Sequence, residues 1–127
     1  MKPRRPYLIR AVLDWIADNG WTTHVLVDAR RPGVTGIPPD RLEDGRMVLD
    51  FGPEACPDFR FDGMVMSGRL RFGGTATTVV VPATAVLAVF ARENQQGLIF
   101  TDEDGPGEDG GTPSARGGGR PRLHRVK

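Results

Sequence analysis

A stretch near the end of this 127-residue chain is incompatible with a packed core. Residues 102–115 (DEDGPGEDGGTPSA) carry five acidic side chains, no basic ones and no large apolar one. Such a segment buries too little apolar surface to offset the entropy lost on ordering, so we predict a disordered linker. The folded body is therefore expected to occupy residues 1–101, the size of one small domain.

Charge is distributed unevenly on the two sides of this linker. Residues 1–101 contain 12 Lys/Arg against 11 Asp/Glu, whereas residues 116–127 (RGGGRPRLHRVK) contain five bases and no acid. The nearly neutral body argues against a general nucleic-acid surface. The basic segment also carries Leu123 and Val126 and follows a flexible spacer, which indicates a docking peptide that recruits a partner.

The first regular element is predicted to be a helix over residues 6–19. Pro6 fits the first helical turn, where its missing N–H costs nothing. Apolar residues then recur at helical spacing: Leu8, Ile9, Val12, Leu13, Trp15 and Ile16. This apolar arc is broad, and the pattern leaves open whether part of it faces a second subunit or all of it packs in the core.

After the helix the apolar period changes to that of strands. We predict strands at residues 23–29, 46–51, 59–61, 64–72, 77–81 and 96–100, separated by Gly- and Pro-containing turns. Residues 83–94 (ATAVLAVFAREN) fit a second helix of about three turns. Short strands with such turns predict a mainly β body, a small bent sheet or barrel, with an N-terminal helix.

Side chains suited to catalysis or metal binding are scarce. The single cysteine, Cys56, excludes an intramolecular disulfide and a Cys-based zinc site. The sequence places no nucleophile beside His24 and no base beside Cys56 in a recognisable catalytic motif. We therefore predict no catalytic residue, no metal and no cofactor. Arg10 and Asp14 interrupt the first apolar segment, which predicts neither a signal peptide nor a membrane span but a soluble cytoplasmic protein.

A groove on a small sheet can hold an extended peptide through backbone hydrogen bonds. Candidate walls are the strands at residues 25–27, 70–74 and 79–81. Gly73 and Gly74 would permit close approach of another backbone.

Motifs spread over most of the chain resemble the SspB (stringent starvation protein B) family. They occur in matching order and spacing: residues 3–7 (PRRPY), Asp14-Trp15, Asp18-Asn19, His24, Val27-Asp28, residues 32–34, Asp44-Gly45, Val48-Leu49, residues 71–74 (RFGG), Val81-Pro82, residues 85–88, residues 91–94 and residues 118–127. The chain departs from the expected pattern at Arg69 and Leu70, where we expect smaller or uncharged residues, and its linker is short.

This resemblance implies a non-enzymatic adaptor for the ClpXP protease. It implies an Sm-like small β-barrel preceded by an N-terminal dimerisation helix, with a disordered C-terminal tail. The barrel groove would bind the SsrA tag through Val27, Asp28, Arg71, Phe72, Gly73 and Gly74. The tail would dock on ClpX through Arg120, Pro121, Leu123, Val126 and Lys127, and the homodimer would form through Leu8, Val12, Trp15 and Ile16.

Two other functions remain as alternatives. An Sm-like barrel with an Arg-rich tail is also compatible with RNA binding, although the neutral body and few aromatic side chains disfavour it. An enzyme would need a constellation around His24 or Cys56, and we rank it last.

Overall fold

The computed structural model describes residues 3–100. The predicted linker and docking peptide lie outside the described residues, and with them the predicted ClpX-docking residues: Arg120, Pro121, Leu123, Val126 and Lys127. Within residues 3–100, no helix is both long and apolar enough to cross a bilayer.

The described body is mainly β, as predicted, and it contains one α-helix rather than the two that the sequence pattern indicated. The elements are α1 (Arg5–Asp18), β1 (Thr23–Asp28), β2 (Arg46–Asp50), β3 (Arg60–Asp62), β4 (Val65–Phe72), β5 (Thr75–Pro82), β6 (Val86–Ala91) and β7 (Gly97–Ile99), with 3₁₀ turns at Pro39–Arg41 and Ala83–Ala85. All strand pairs are antiparallel.

The strands form two sheets, with the orders β2-β1-β6-β7 and β3-β4-β5. The loop after β1 links them, because Thr35 and Val80 exchange two backbone hydrogen bonds of 3.0 Å. Within residues 3–100 the two sheets do not close into one barrel, so the Sm-like barrel remains a prediction.

One hydrophobic core lies between the helix and the two sheets. Ile9 and Ile16 of α1, Val25 of β1 and Met66 of β4 are fully buried in it. Arg5 secures the start of the helix, since its guanidinium donates to the carbonyl of Val86 at 3.1 Å. The core therefore holds the two sheets in a defined position relative to each other, which is what shapes the surface between them.

The predicted helix over residues 83–94 is wrong. Residues Ala83–Ala85 form a 3₁₀ turn, and β6 (Val86–Ala91) lies between β1 and β7 in the first sheet. A short, continuously apolar run fits either a buried helix or a central strand by its pattern alone. The pairing of β6 with strands on both sides decides in favour of the strand, a long-range interaction that local periodicity does not contain.

The helix face predicted to form a dimer is only partly exposed. Val12 and Ile16 are 7% and 0% exposed and belong to the core of the body itself. Leu8 is half-buried, whereas Trp15 is 41% exposed and packs edge-on against Trp21, with 5.2 Å between ring centroids. Any contact with a second subunit through this helix must therefore use Trp15 and its exposed neighbours.

Gly36, in the loop that links the two sheets, is expected to tolerate substitution poorly. Its φ is +90°, and a Cβ built there would overlap the carbonyl of Thr78. Gly63 in the β3–β4 turn also has a positive φ, +69°, but a Cβ there meets nothing within 4 Å. Gly36→Ala is thus expected to lower the free energy of unfolding by about 2–5 kcal/mol, combining left-handed strain with overpacking.

The matched control is Gly63→Ala, which adds the same methyl group in the same backbone region without the clash. Its cost is expected to be only about 1–2 kcal/mol. Urea unfolding of both variants measures the difference, and equal costs would contradict the role assigned to the close approach at Gly36.

Candidate peptide-binding groove

A surface groove of about 840 Å³ lies between β2 of the first sheet and β4 of the second. Its volume is in the range of known ligand sites. The walls are formed by Arg41, Met47, Val48, Leu49, Asp50, Glu54, Ala55, Pro57, Asp58, Arg69, Leu70, Arg71, Phe72 and Ala76. Both ordered sheets therefore contribute to it, together with the loop that follows β2.

The outer edge of β2 offers unpaired backbone groups to this groove. β2 is the edge strand of its sheet and pairs only with β1 among residues 3–100. The N–H of Phe51 donates to the carbonyl of Thr23 at 3.0 Å. Because hydrogen-bonded and non-bonded pairs alternate along an antiparallel ladder, odd-numbered residues of β2 bond to β1. Val48 and Asp50 consequently direct their N–H and C=O groups away from β1.

The last part of β4 offers a second such edge. β3 pairs only with Val65, Met66 and Ser67, so residues 68–72 have no neighbouring strand on that side within the described chain. The N–H of Arg69 on this side donates instead to Oδ1 of Asp58 at 3.0 Å. Arg71, two residues further, directs its backbone groups to the same side. Two strand edges thus border one groove, which is the arrangement needed to bind an extended peptide.

One end of the groove is acidic, and we call it the acidic end: Asp50, Glu54 and Asp58. Oδ1 of Asp50 accepts the N–H of Gly52 at 2.9 Å. The pKa of Asp58 lies below its ordinary value, chiefly because its carboxylate accepts the Arg69 N–H. Glu54 is exposed and forms no ion pair within residues 3–100.

Cys56 and His24, the residues that an enzyme would have to use, lie beside this end. Burial and the Asp58 charge raise the pKa of the Cys56 thiol to about 11, so it is protonated at neutral pH and a poor nucleophile. Burial lowers the pKa of His24 more than nearby Asp50 raises it, although Nε2 lies 3.9 Å from Oδ2 of Asp50. No group of three or more potential metal ligands occurs in the described part of the chain.

The other end of the groove is basic, and we call it the hairpin end because it lies at the β4–β5 turn. Nη1 of Arg71 donates to the carbonyl of Gly74 at 3.1 Å. The guanidinium of Arg41 covers the same turn, since a Cβ built on Gly73 would lie 2.9 Å from its Nη2. Neither arginine pairs with a carboxylate among residues 3–100.

The structure brings only some of the predicted tag-binding residues to this groove. Arg71 and Phe72 form part of its wall. Gly73 and Gly74 make the two-residue hairpin turn beside it, with φ of +59° and +88°.

Val27 and Asp28 lie elsewhere, buried in and beside the core. The Asp28 carboxylate holds Nε of Arg30 at 3.0 Å and Nε of Arg31 at 3.6 Å. The hydrogen bond from Arg30 is the main reason that its pKa is lowered. Asp28 therefore fixes the turn after β1, and neither residue contributes to the wall of the groove.

Several residues of the wall were not predicted from the sequence. Met47, Val48 and Asp50 of β2 form one side, and Arg69 of β4 belongs to the other, next to the predicted wall at residues 70–74. One signal was available: Val48 is 43% exposed although it lies within an apolar strand. An exposed apolar residue in such a strand is typical of a sheet edge, where a partner can add.

Comparisons with known proteins agree with the sequence motifs. Residues 3–119 match the model of the family described as stringent starvation protein B. The chain is also 36% identical over 102 residues to the stringent starvation protein B homolog of Haemophilus influenzae, covering 80% of this chain and 67% of that protein. A family match over this much of the sequence confirms the predicted resemblance. The chain belongs to the stringent starvation protein B (SspB) family.

Proposed function

We propose that this protein is a non-enzymatic adaptor that binds the SsrA degradation tag and presents tagged proteins to the ClpX unfoldase of the ClpXP protease. The observation that carries the proposal is the groove bordered by the edges of β2 and β4 that have no partner strand among residues 3–100, in a chain of the SspB family. An extended tag adds to these edges as a strand, and the wall side chains select its sequence.

The wall of the groove suits a short peptide rather than a small metabolite. Apolar side chains of both sheets line it, among them Val48 of β2 and Phe72 of β4. Backbone groups on both sides can hydrogen-bond to any extended peptide, whereas these two side chains discriminate between tag residues. Residues Val27 and Asp28 are not needed for binding in this arrangement.

Tethering supplies the second half of the function. Residues 116–127 dock on ClpX, with apolar contact from Leu123 and Val126 and attraction from the bases. The linker of residues 102–115 joins this docking peptide to the body that holds the groove. A tag held in the groove is then concentrated beside ClpX, and two tails in a dimer increase avidity by about 10²–10⁴.

The same proposal includes the assembly and its location. Two subunits pack through the exposed part of α1, around Trp15, and the two sheets act as one Sm-like barrel in each subunit. The cytoplasm is the compartment where ClpXP and tagged proteins meet, so the adaptor works there.

The direct test is fluorescence anisotropy of a labelled SsrA-tag peptide titrated with the full-length chain. We expect saturable binding at micromolar or lower protein concentration, displaced by unlabelled tag. The control is a peptide of the same composition in scrambled order. Absence of binding would contradict the adaptor function, and salt-sensitive retention of RNA by the same protein would support the Sm-like RNA-binding alternative.

A further inference from the structure

The charged side chains of the groove are balanced in number but separated in position. Three arginines and three carboxylates belong to its wall: Arg41, Arg69, Arg71, Asp50, Glu54 and Asp58. Arg69 and Asp58 compensate each other, since Arg69 donates its N–H to that carboxylate and its charge lowers the carboxylate's pKa. Of the remaining charges, Arg41, Arg71 and Glu54 have no charged partner among residues 3–100, and Asp50 has only His24, at 3.9 Å.

These remaining charges lie at opposite ends. The carbonyl of Gly52, two residues after Asp50, accepts the N–H of Cys56, whose Sγ lies against Gly68 beside Arg69, so Asp50 lies at the acidic end. Arg41 covers Gly73 at the other end of the same strand. Four residues of extended chain separate Arg69 from Gly73, which corresponds to about 13 Å.

Backbone pairing by itself does not specify which way a peptide lies in such a groove. Each free edge accepts an added strand in either direction, because parallel and antiparallel ladders both form. Charge complementarity, in contrast, favours one placement and penalises its reverse through like-charge contacts. The separated charges therefore favour one direction of the bound peptide, whereas the strand edges alone accept both.

We propose that the groove selects both the sequence and the direction of its peptide by charge, binding a carboxylate side chain at the hairpin end between Arg41 and Arg71 and a positive charge at the acidic end against Asp50 and Glu54. This proposal rests on the proposed function in that the peptide is the SsrA tag. It adds that the charge of the tag is recognised at specific positions, and that Arg41 and Arg71 recognise the negative one.

The arginines are suited to this role because they are exposed and lack a competing carboxylate in the described chain. The Arg71 guanidinium is positioned by the Gly74 carbonyl, so only part of its donor set is used. Arg41 comes from the 3₁₀ turn at Pro39–Arg41, separate from both groove strands. Its substitution therefore alters the charge at the hairpin end without touching a strand.

The experiment is a charge scan of the ligand with the native protein. Unlabelled SsrA-tag peptides carrying a single Glu or a single Lys at successive positions compete with the labelled tag at low salt. We expect the best position for Glu and the best position for Lys to lie about four residues apart, as the 13 Å separation requires. Each favourable placement is expected to improve competition about threefold to tenfold over the reversed charge.

Variants of the protein identify the groups that read the charge. Arg41→Glu and Arg71→Glu are expected to remove the Glu preference at the hairpin end and to create a Lys preference there. Arg92→Glu is the matched control, since Arg92 is exposed, lies outside the groove wall and changes net charge equally. It should leave the position preferences unchanged.

The possible outcomes separate this proposal from the proposed function. Tag binding with no position preference, or with preferences that both arginine variants retain, would overturn the charge selection while the adaptor function stands. Failure of every tag peptide to bind the native protein would overturn both. A hairpin-end Glu preference that reverses in the arginine variants, but not in Arg92→Glu, would establish the proposal.

Discussion

Val48→Pro is expected to weaken binding of the SsrA-tag peptide by about fivefold to 150-fold while leaving the fold intact. The N–H of Val48 faces the groove and pairs with no strand among residues 3–100. Proline removes this donor and, as an edge-strand residue, sacrifices no hydrogen bond to β1. A peptide acceptor left without its donor costs about 1–3 kcal/mol, which corresponds to about fivefold to 150-fold in affinity.

Two measurements make this result specific for the strand edge. Val48→Thr keeps the N–H and the β-branched shape, so its tag affinity is expected to stay close to that of the native chain. Urea unfolding should place both variants near the native protein in stability. If Val48→Pro folds normally and binds the tag as tightly as the native chain, the peptide does not add to β2.

Removing the docking peptide is expected to abolish stimulation of degradation without affecting tag binding. A form that ends at Ser114 retains the whole groove but lacks residues 116–127. Anisotropy with the tag peptide should give the same affinity for both forms. The rate at which ClpXP degrades an SsrA-tagged reporter at low concentration should fall to the rate without adaptor, since the gain from tethering, potentially about 10²–10⁴-fold, is lost.

A variant with Leu123→Ala and Val126→Ala separates docking from mere chain length and charge. It keeps all five bases of residues 116–127, so an electrostatic role alone would leave delivery unchanged. We expect delivery to be strongly reduced, because apolar contacts anchor such peptides while charges orient them. Full stimulation by the form ending at Ser114 would show that ClpX is recruited through another part of the chain.

Local periodicity was sufficient for most of the elements. The helix predicted at residues 6–19 is α1 (Arg5–Asp18), and the strand predicted at residues 64–72 is β4 (Val65–Phe72). Both have strong amphipathic patterns with clear turns at their ends. The run at residues 86–91 was misassigned because alternation is absent from a strand buried on both faces, and its alanines also suit a helix.

The groove was only partly predictable for a related reason. Arg71 and Phe72 were found because they belong to a motif of consecutive residues, whereas Val48 and Asp50 of β2 were not. Whether a strand has a free edge depends on which strands pair with it, and this information is distributed over the whole chain. Asp28 is the opposite case. Its motif suggested a role in the groove, but in the structure its carboxylate pairs with Arg30 and Arg31 in the turn after β1.

The sequence by itself determined the family, the mainly β class with its N-terminal helix and the uneven charge of the chain, because these follow from residue order and composition. Only the tertiary structure decided which strand edges have no neighbour among residues 3–100, that Val12 and Ile16 are buried in the body, and that the groove has a basic and an acidic end. Residues distant in sequence, such as Arg41 and Gly73, meet only after β2 and β4 are packed on one core. Long-range packing sets these positions, and a local pattern does not encode them.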